Sequence, residues 1–302
     1  MHGTWRQWIG ALAALLLFMP GLAASADDKP KVVATFTIIG DLVQAVGGDA
    51  VTVTTLVGPD GDAHVFEPKP SDLGAVAEAD LVVSNGLGME PWLGRLVEAA
   101  NYQGKVLVAS QGVMPLPFKE EANASGQMPD DPHAFQDLAN GRLYVKNIAA
   151  ALAMLAPKEA AAIAARAAKL DGEMAAMDQE LKAKLAALPP ANRRILTSHD
   201  AFHYFAKAYG LDIKSIQGVS TDTEPSAADL AQIARQAKAG QVKAIFLENM
   251  SNPQLAQTIS SESGVSVGGA LVADALTKPD GGAPHYLDMF RYNLAQLLKV
   301  LQ

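Results

Sequence analysis

Four side chains that can donate an electron pair to a divalent metal ion lie far apart in this sequence: His64, His133, His199 and Asp274. Neighbouring members are separated by 69, 66 and 75 residues. Such gaps are too long for a local metal-binding loop and favour a site assembled from distant segments. Three imidazoles and one carboxylate suit Zn²⁺ and also accept Mn²⁺ or Fe²⁺, whereas Ca²⁺ and Mg²⁺ prefer oxygen ligands. The sequence therefore predicts a transition-metal site.

The segments that position these residues alternate between short apolar runs and helical stretches, which predicts parallel βαβ units. His64, His199 and Asp274 each follow a predicted strand, where open α/β sheets bind their ligands. Each histidine by itself is equally typical of a surface or hydrogen-bonded residue. Asp274 by itself is typical of an aspartate that caps the next helix or turn. The predicted strands lie at 31–37, 51–56, 81–84, 105–109, 194–197, 212–216, 244–247 and 265–270. The predicted helices lie at 39–46, 71–79, 91–100, 138–156, 158–188, 201–209, 226–239, 253–264 and 286–301.

The predicted fold class is α/β, with two lobes that each contain a parallel sheet flanked by helices and that are joined by a long spine helix. The predicted domains are an N-terminal metal-binding lobe at 27–156, the spine helix at 157–188 and a C-terminal metal-binding lobe at 189–302. Pro189 and Pro190 end the spine. A coiled-coil hairpin or an ordinary surface helix would have the same Ala-, Lys- and Glu-rich composition.

The first 26 residues have the pattern of a signal peptide. Arg6 precedes an apolar run at 9–19, and Ala24-Ser25-Ala26 resembles a cleavage site. A retained membrane anchor is disfavoured because the run is shorter than the roughly 20 residues that span a bilayer. With no cysteine for lipidation or disulfides, we expect a free periplasmic protein cleaved after about Ala26. The net charge of −8 argues against nucleic-acid binding.

Seven short segments carry a resemblance to a known family: VATF at 33–36, GDL at 40–42, GDAHVFEP at 61–68, DPHAF at 131–135, SHDAF at 198–202, TEPS at 223–226 and ADAL at 273–276. Together they resemble the ZnuA- and TroA-like solute-binding proteins of zinc and manganese ABC transporters, known as cluster A-I. The resemblance implies a metal buried between two lobes, with His64 and His133 from the first and His199 and Asp274 from the second. It also implies delivery to an inner-membrane permease; a periplasmic metallochaperone is a second candidate partner, and a monomer is expected.

Two departures from the family pattern bear on the cargo. The loop at 119–131 contains no histidine, unlike the long His- and acid-rich loop of many zinc-specific relatives, which argues against capture of zinc by imidazoles of this loop. His199 stands where similar manganese-type members usually have Glu, which makes the site richer in nitrogen and favours Zn²⁺ as the bound cargo. Manganese-specific or mixed zinc and manganese binding is the alternative.

A few residues are also typical of other functional classes. The sequence from His199 to His203 resembles a metalloprotease H-E-x-x-H motif, but Asp replaces the catalytic Glu. A zinc hydrolase needs an open coordination position, which four protein ligands would fill, so the chain is not expected to be an enzyme. A surface adhesin would need display on the cell, and the missing cysteine for lipidation argues against it.

His203 is expected to be a partly exposed helix residue or to orient a ligand. Glu67 and Glu224 are left outside the ligand set, and Trp92 is expected to pack in the core.

Overall fold

A computed structural model describes residues 29–118, 128–217, 221, 226–240, 242–250 and 253–302. The predicted signal peptide, most of the loop at 119–131 and Glu224 lie outside these residues. Among the described residues, every helix is either too short or too polar to cross a membrane.

The N-terminal lobe is built on a four-stranded parallel sheet with strand order β2-β1-β3-β4. Its strands are β1 (Lys31–Phe36), β2 (Thr52–Val57), β3 (Leu81–Ser84) and β4 (Lys105–Val108). The crossovers carry α1 (Thr37–Gly47), α2 (Pro70–Ala77) and α3 (Leu93–Ala99). All four residues of β3 are buried, as expected for a central strand that is covered on both faces.

The C-terminal lobe repeats this arrangement, with strand order β6-β5-β7-β8 and parallel pairing throughout. Its strands are β5 (Arg194–Thr197), β6 (Asp212–Ser215), β7 (Ala244–Glu248) and β8 (Val267–Leu271). Its helices are α6 (His203–Tyr209), α7 (Ala227–Ala239), α8 (Pro253–Ser263) and α9 (Tyr286–Leu301). The predicted α/β fold class is therefore confirmed, with shifts of a residue or two at several element ends.

Two long helices, α4 (Leu138–Leu155) and α5 (Ala160–Ala186), lie between the two βα series in the chain. With 27 residues, α5 is roughly 40 Å long. It packs against α1 and α4 of the first lobe and against α6 and α9 of the second. Arg166 donates to the backbone oxygens of Val46 (2.8 Å) and Gly47 (2.6 Å) at the end of α1. The helix therefore contacts both lobes along its length.

Hydrogen bonds also connect the lobes directly. Gln136 Nε2 donates to the backbone oxygen of Ala273 at 2.8 Å. On another side of the interface, the backbone N–H of Leu276 donates to Thr37 Oγ1 at 2.8 Å. These bonds hold the segments after β8 against the N-terminal lobe.

Candidate metal centre

The N-terminal lobe contributes His64 and His133 from two loops, and an aspartate two residues earlier fixes each backbone. Asp62 Oδ1 accepts from the backbone N–H of His64 at 2.8 Å. Asp131 Oδ1 accepts from the backbone N–H of His133 at 2.9 Å. Each loop is thus closed by a short side-chain turn, which is a common role of aspartate.

The C-terminal lobe contributes His199 and Asp274 from the carboxyl ends of two strands. His199 follows β5, and Asp274 follows β8. The backbone N–H of His199 donates to Oε1 of Glu248, the last residue of β7, at 2.9 Å. Because β7 lies between β5 and β8 in the sheet, these three residues meet at one edge.

The four predicted residues lie together between the lobes. All four are buried, and one potential ligand atom from each lies within 4.8 Å of the others. Asp274 Oδ2 is 2.9 Å from His199 Nε2, 3.3 Å from His64 Nε2 and 3.4 Å from His133 Nε2. The Nε2 atoms of His64 and His133 are 3.2 Å apart.

These four separations are close to the edges of a tetrahedral metal shell, and the four atoms as a set lie within 4.8 Å of one another. Zinc binds imidazole nitrogen and carboxylate oxygen at about 2.0–2.1 Å, and a tetrahedron of that size has edges of roughly 3.3–3.4 Å. Among the described residues, the second oxygen of Asp274, Oδ1, has no hydrogen-bond partner although it is buried. Since a buried carboxylate oxygen is normally hydrogen-bonded, this atom is suited to a cation.

Two carboxylates that sequence reasoning did not single out lie behind the imidazoles. Asp131 Oδ1 is 2.8 Å from His133 Nδ1. Glu248 Oε2 contacts His199 Nδ1. Asp131 accepts from Nδ1–H of His133, and Glu248 lies against Nδ1 of His199, so Nε2 of both rings faces the cluster, an arrangement typical of metal-binding histidines. An acidic residue at the end of the apolar strand β7 was the available signal for Glu248.

The cluster is strongly coupled electrostatically. Burial opposes charge on His133, but Asp274 and Asp131 outweigh burial and raise its pKa to about 9. Burial likewise opposes charge on His199, yet Glu248 and Asp274 raise its pKa well above the usual value. Despite burial, the same imidazoles hold the pKa of Asp274 well below its usual range. The site therefore stabilises ionised Asp274 next to positive charge, as a cation-binding centre requires.

The remaining candidates lie outside the cluster. The side chain of His203 is 35% exposed, and its Nδ1 is 3.2 Å from Asp131 Oδ2. Trp92 is buried and donates from Nε1 to the backbone oxygen of Ala63 at 2.7 Å, next to His64. Glu67 is exposed.

The comparisons with known proteins identify the family. Residues 32–300 match the model described as "ZnuA: Zinc-uptake complex component A periplasmic". The chain belongs to this family. It is a family of periplasmic metal-binding components of ABC transporters, which work with a membrane permease and are not enzymes.

Similar family members are named for different metals. The chain is 31% identical to the manganese-binding lipoprotein MntA of Halalkalibacterium halodurans, over 87% of this chain and 86% of that protein. It is 28% identical to the iron ABC transporter substrate-binding lipoprotein MtsA of Streptococcus pyogenes, over 96% of both chains. The structure of the periplasmic zinc-binding protein TroA from Treponema pallidum is similar, with a TM-score of 0.82 and 27% identity over 90% of this chain and 99% of TroA.

Proposed function

We propose that this protein captures Zn²⁺ in the periplasm and delivers it to the permease of an ABC transporter for uptake. One observation carries the proposal: Asp274 Oδ2 lies 2.9–3.4 Å from the Nε2 atoms of all three histidines, close to the edges of a tetrahedral zinc shell. In this proposal His64 and His133 bind from the N-terminal lobe, and His199 and Asp274 bind from the C-terminal lobe.

The chemistry of the donor set favours zinc over manganese. Imidazole is a softer ligand than carboxylate, and Zn²⁺ has a higher intrinsic affinity than Mn²⁺ for mixed nitrogen and oxygen sites. A manganese-specific or mixed zinc and manganese protein is the second candidate. It is supported by the manganese-binding relative and by the unpartnered Asp274 Oδ1, which can add a further oxygen to the shell.

The proposal extends to the organisation of the whole chain. Residues 27–156 and 189–302 form the metal-binding lobes, and 157–188 form the spine helix that limits their movement. We also propose that the protein acts as a monomer, that a signal peptide is cleaved after about Ala26, and that a periplasmic metallochaperone is a further candidate partner. The relatives above are named lipoproteins, whereas this chain has no cysteine to carry a lipid.

The test is a competition titration. The purified protein is stripped with a chelator and titrated with Zn²⁺ and Mn²⁺ against an indicator of known affinity. We expect tighter binding of Zn²⁺ than of Mn²⁺, by at least about tenfold. The double substitution His64→Ala/His199→Ala removes one ligand from each lobe and should abolish tight binding. His285→Ala, which changes a histidine outside the cluster, should bind like the wild type.

Two results would contradict the proposal. Full-strength binding in the double variant would place the metal elsewhere. Equal or tighter binding of Mn²⁺ in the wild type would reject zinc as the preferred cargo and favour the manganese or mixed alternative.

A further inference from the structure

Asp131 lies at the centre of a hydrogen-bond chain that begins at the metal centre. Its carboxylate is fully buried. Oδ1 accepts from the backbone N–H and from Nδ1 of His133, while Oδ2 faces His203 Nδ1 at 3.2 Å. An ionised carboxylate only accepts hydrogen bonds, so both imidazoles donate to it from Nδ1. The orientation of the His133 ring therefore depends on the Asp131 carboxylate. The orientation of that carboxylate depends in turn on His203.

This chain of contacts crosses between the lobes. Asp131 and His133 precede α4 of the N-terminal lobe, whereas His203 is the first residue of α6 in the C-terminal lobe. The next residue, Tyr204, donates from its hydroxyl to the backbone oxygen of Asp131 at 3.0 Å. The same hydroxyl accepts from the backbone N–H of Leu116 at 2.9 Å. Separation of the lobes would break these contacts and leave Oδ2 of Asp131 without its imidazole donor.

The surroundings of His203 are open on one side. About a third of its side chain is exposed, and it lines a cavity of about 660 Å³ beside β5 and β6. Its Nε2 lies 3.2 Å from Asp200 Oδ1, and its ring contacts Phe118 with 5.6 Å between ring centres. Since no sealed void would form, a substitution at this position should leave the fold intact.

We propose that His203 is a positioning residue that couples closure of the two lobes to the orientation of His133, through the carboxylate of Asp131, and so slows release of the bound metal. The inference rests on the proposed function, because it assumes that His133 is a ligand. It assigns His203 no bond to the metal.

Two substitutions separate hydrogen bonding from packing. His203→Asn places its amide nitrogen where Nδ1 lies and keeps a donor to Asp131, whereas His203→Leu has a similar size and no donor. We expect His203→Leu to release Zn²⁺ to an excess of chelator about tenfold faster than the wild type, the lower end of the range for residues behind a metal ligand. His203→Asn should release it at nearly the wild-type rate.

A second readout reports the ligand geometry. Zn²⁺ has a filled d shell and no visible absorption, so Co²⁺ is loaded in its place. The intensity of the visible Co²⁺ bands depends on how closely the shell approaches a tetrahedron. We expect the bands to weaken or shift in His203→Leu and to keep the wild-type form in His203→Asn. A residue that only supports the fold would leave these bands unchanged.

The matched control is His285→Ala. His285 also donates across the lobes to an aspartate, with Nδ1 at 2.7 Å from Asp41 Oδ1, but this pair lies outside the metal centre. If the loss of any contact between the lobes sped up release, His285→Ala would do so as well. We expect it to keep the wild-type release rate and Co²⁺ spectrum. Thermal unfolding of each metal-free variant monitors the fold.

The outcomes are distinct. If wild-type protein binds no Zn²⁺ tightly, the proposed function fails. If the wild type binds tightly and His203→Leu matches it in rate and spectrum, only the coupling through His203 is overturned. The coupling is also overturned if His203→Asn behaves like His203→Leu, or if His285→Ala speeds up release to the same extent. The coupling is supported if His203→Asn keeps the wild-type release rate and Co²⁺ spectrum while His203→Leu does not.

Discussion

The two ring nitrogens of His133 and of His199 have different partners. In His133 and His199, Nδ1 contacts a carboxylate and Nε2 faces the centre of the cluster. The carboxylates of Asp131 and Glu248 make each imidazole a better electron donor and fix the ring plane. They also favour the protonated imidazole, so a metal ion has to displace protons when it binds.

Metal affinity should therefore depend on pH. Asp274 and Asp131 overcome the effect of burial and raise the pKa of His133 to about 9, so its proton competes with the metal at neutral pH. We expect the affinity for Zn²⁺ to increase as the pH rises from about 6 to about 9 and to fall on acidification. Competition titrations against a chelator, corrected for the chelator's own protonation, measure this dependence. An affinity that stays constant over the range would contradict it.

At the scale of the elements, α5 packs against the rest of the protein through only one of its faces. Its buried residues recur on one face, and its other faces are largely exposed. Arg166 connects this helix to the last backbone carbonyls of α1, which lack partners within their own helix. The helix is therefore stabilised by a narrow apolar stripe and by hydrogen bonds to a neighbouring helix end.

The exposed face of α5 offers a stabilising substitution. Gly172 lies within the helix, and a Cβ atom at this position would meet nothing within 4 Å. Because glycine is less favourable than alanine in a helix, Gly172→Ala should raise the free energy of unfolding by up to about 1 kcal/mol. Chemical denaturation of the metal-free protein measures the change. A loss of stability would show that the helix is not formed as described, and Zn²⁺ affinity should stay unchanged.

At the scale of the whole molecule, the cluster of three histidines and Asp274 forms only while the lobes are in contact. The N-terminal lobe supplies two of the clustered side chains and the C-terminal lobe the other two. Near them, the hydroxyl of Tyr286 at the start of α9 donates to the backbone oxygen of Phe135, two residues after His133. Contacts at the interface therefore contribute to the geometry of the four-residue cluster.

Gly141 in α4 tests this dependence. A Cβ atom at this position would lie 2.5 Å from the hydroxyl and 3.1–3.2 Å from the ring of Tyr286, which is buried and cannot easily move aside. We expect Gly141→Ala to lower the free energy of unfolding by about 1–3 kcal/mol. It should also weaken Zn²⁺ binding, because the displaced tyrosine loosens the interface next to His133. Gly172→Ala is the matched control, and equal behaviour of the two variants would refute the argument.

Much of the architecture was predictable because its signals are local. Alternating apolar runs and helical stretches predicted each strand and α-helix that the structure describes, and the length of the crossovers predicted the parallel pairing. The start of α6 was predicted two residues too early, at 201 instead of His203. Boundaries depend on single hydrogen bonds at the element ends, which local composition specifies weakly.

The sequence by itself determined the types and order of the residues suited to metal binding, and the structure brings all four together. That they bind a metal stays a prediction, as does the preference for zinc. Only the tertiary structure showed that Asp131 and Glu248 face two of the imidazoles, and that His203 reaches Asp131 from the opposite lobe. The reason is physical: side-chain type and local periodicity are properties of the chain, whereas the contact of Glu248 with His199 joins residues 49 positions apart in one lobe, and the contact of Asp131 with His203 joins residues 72 positions apart in different lobes.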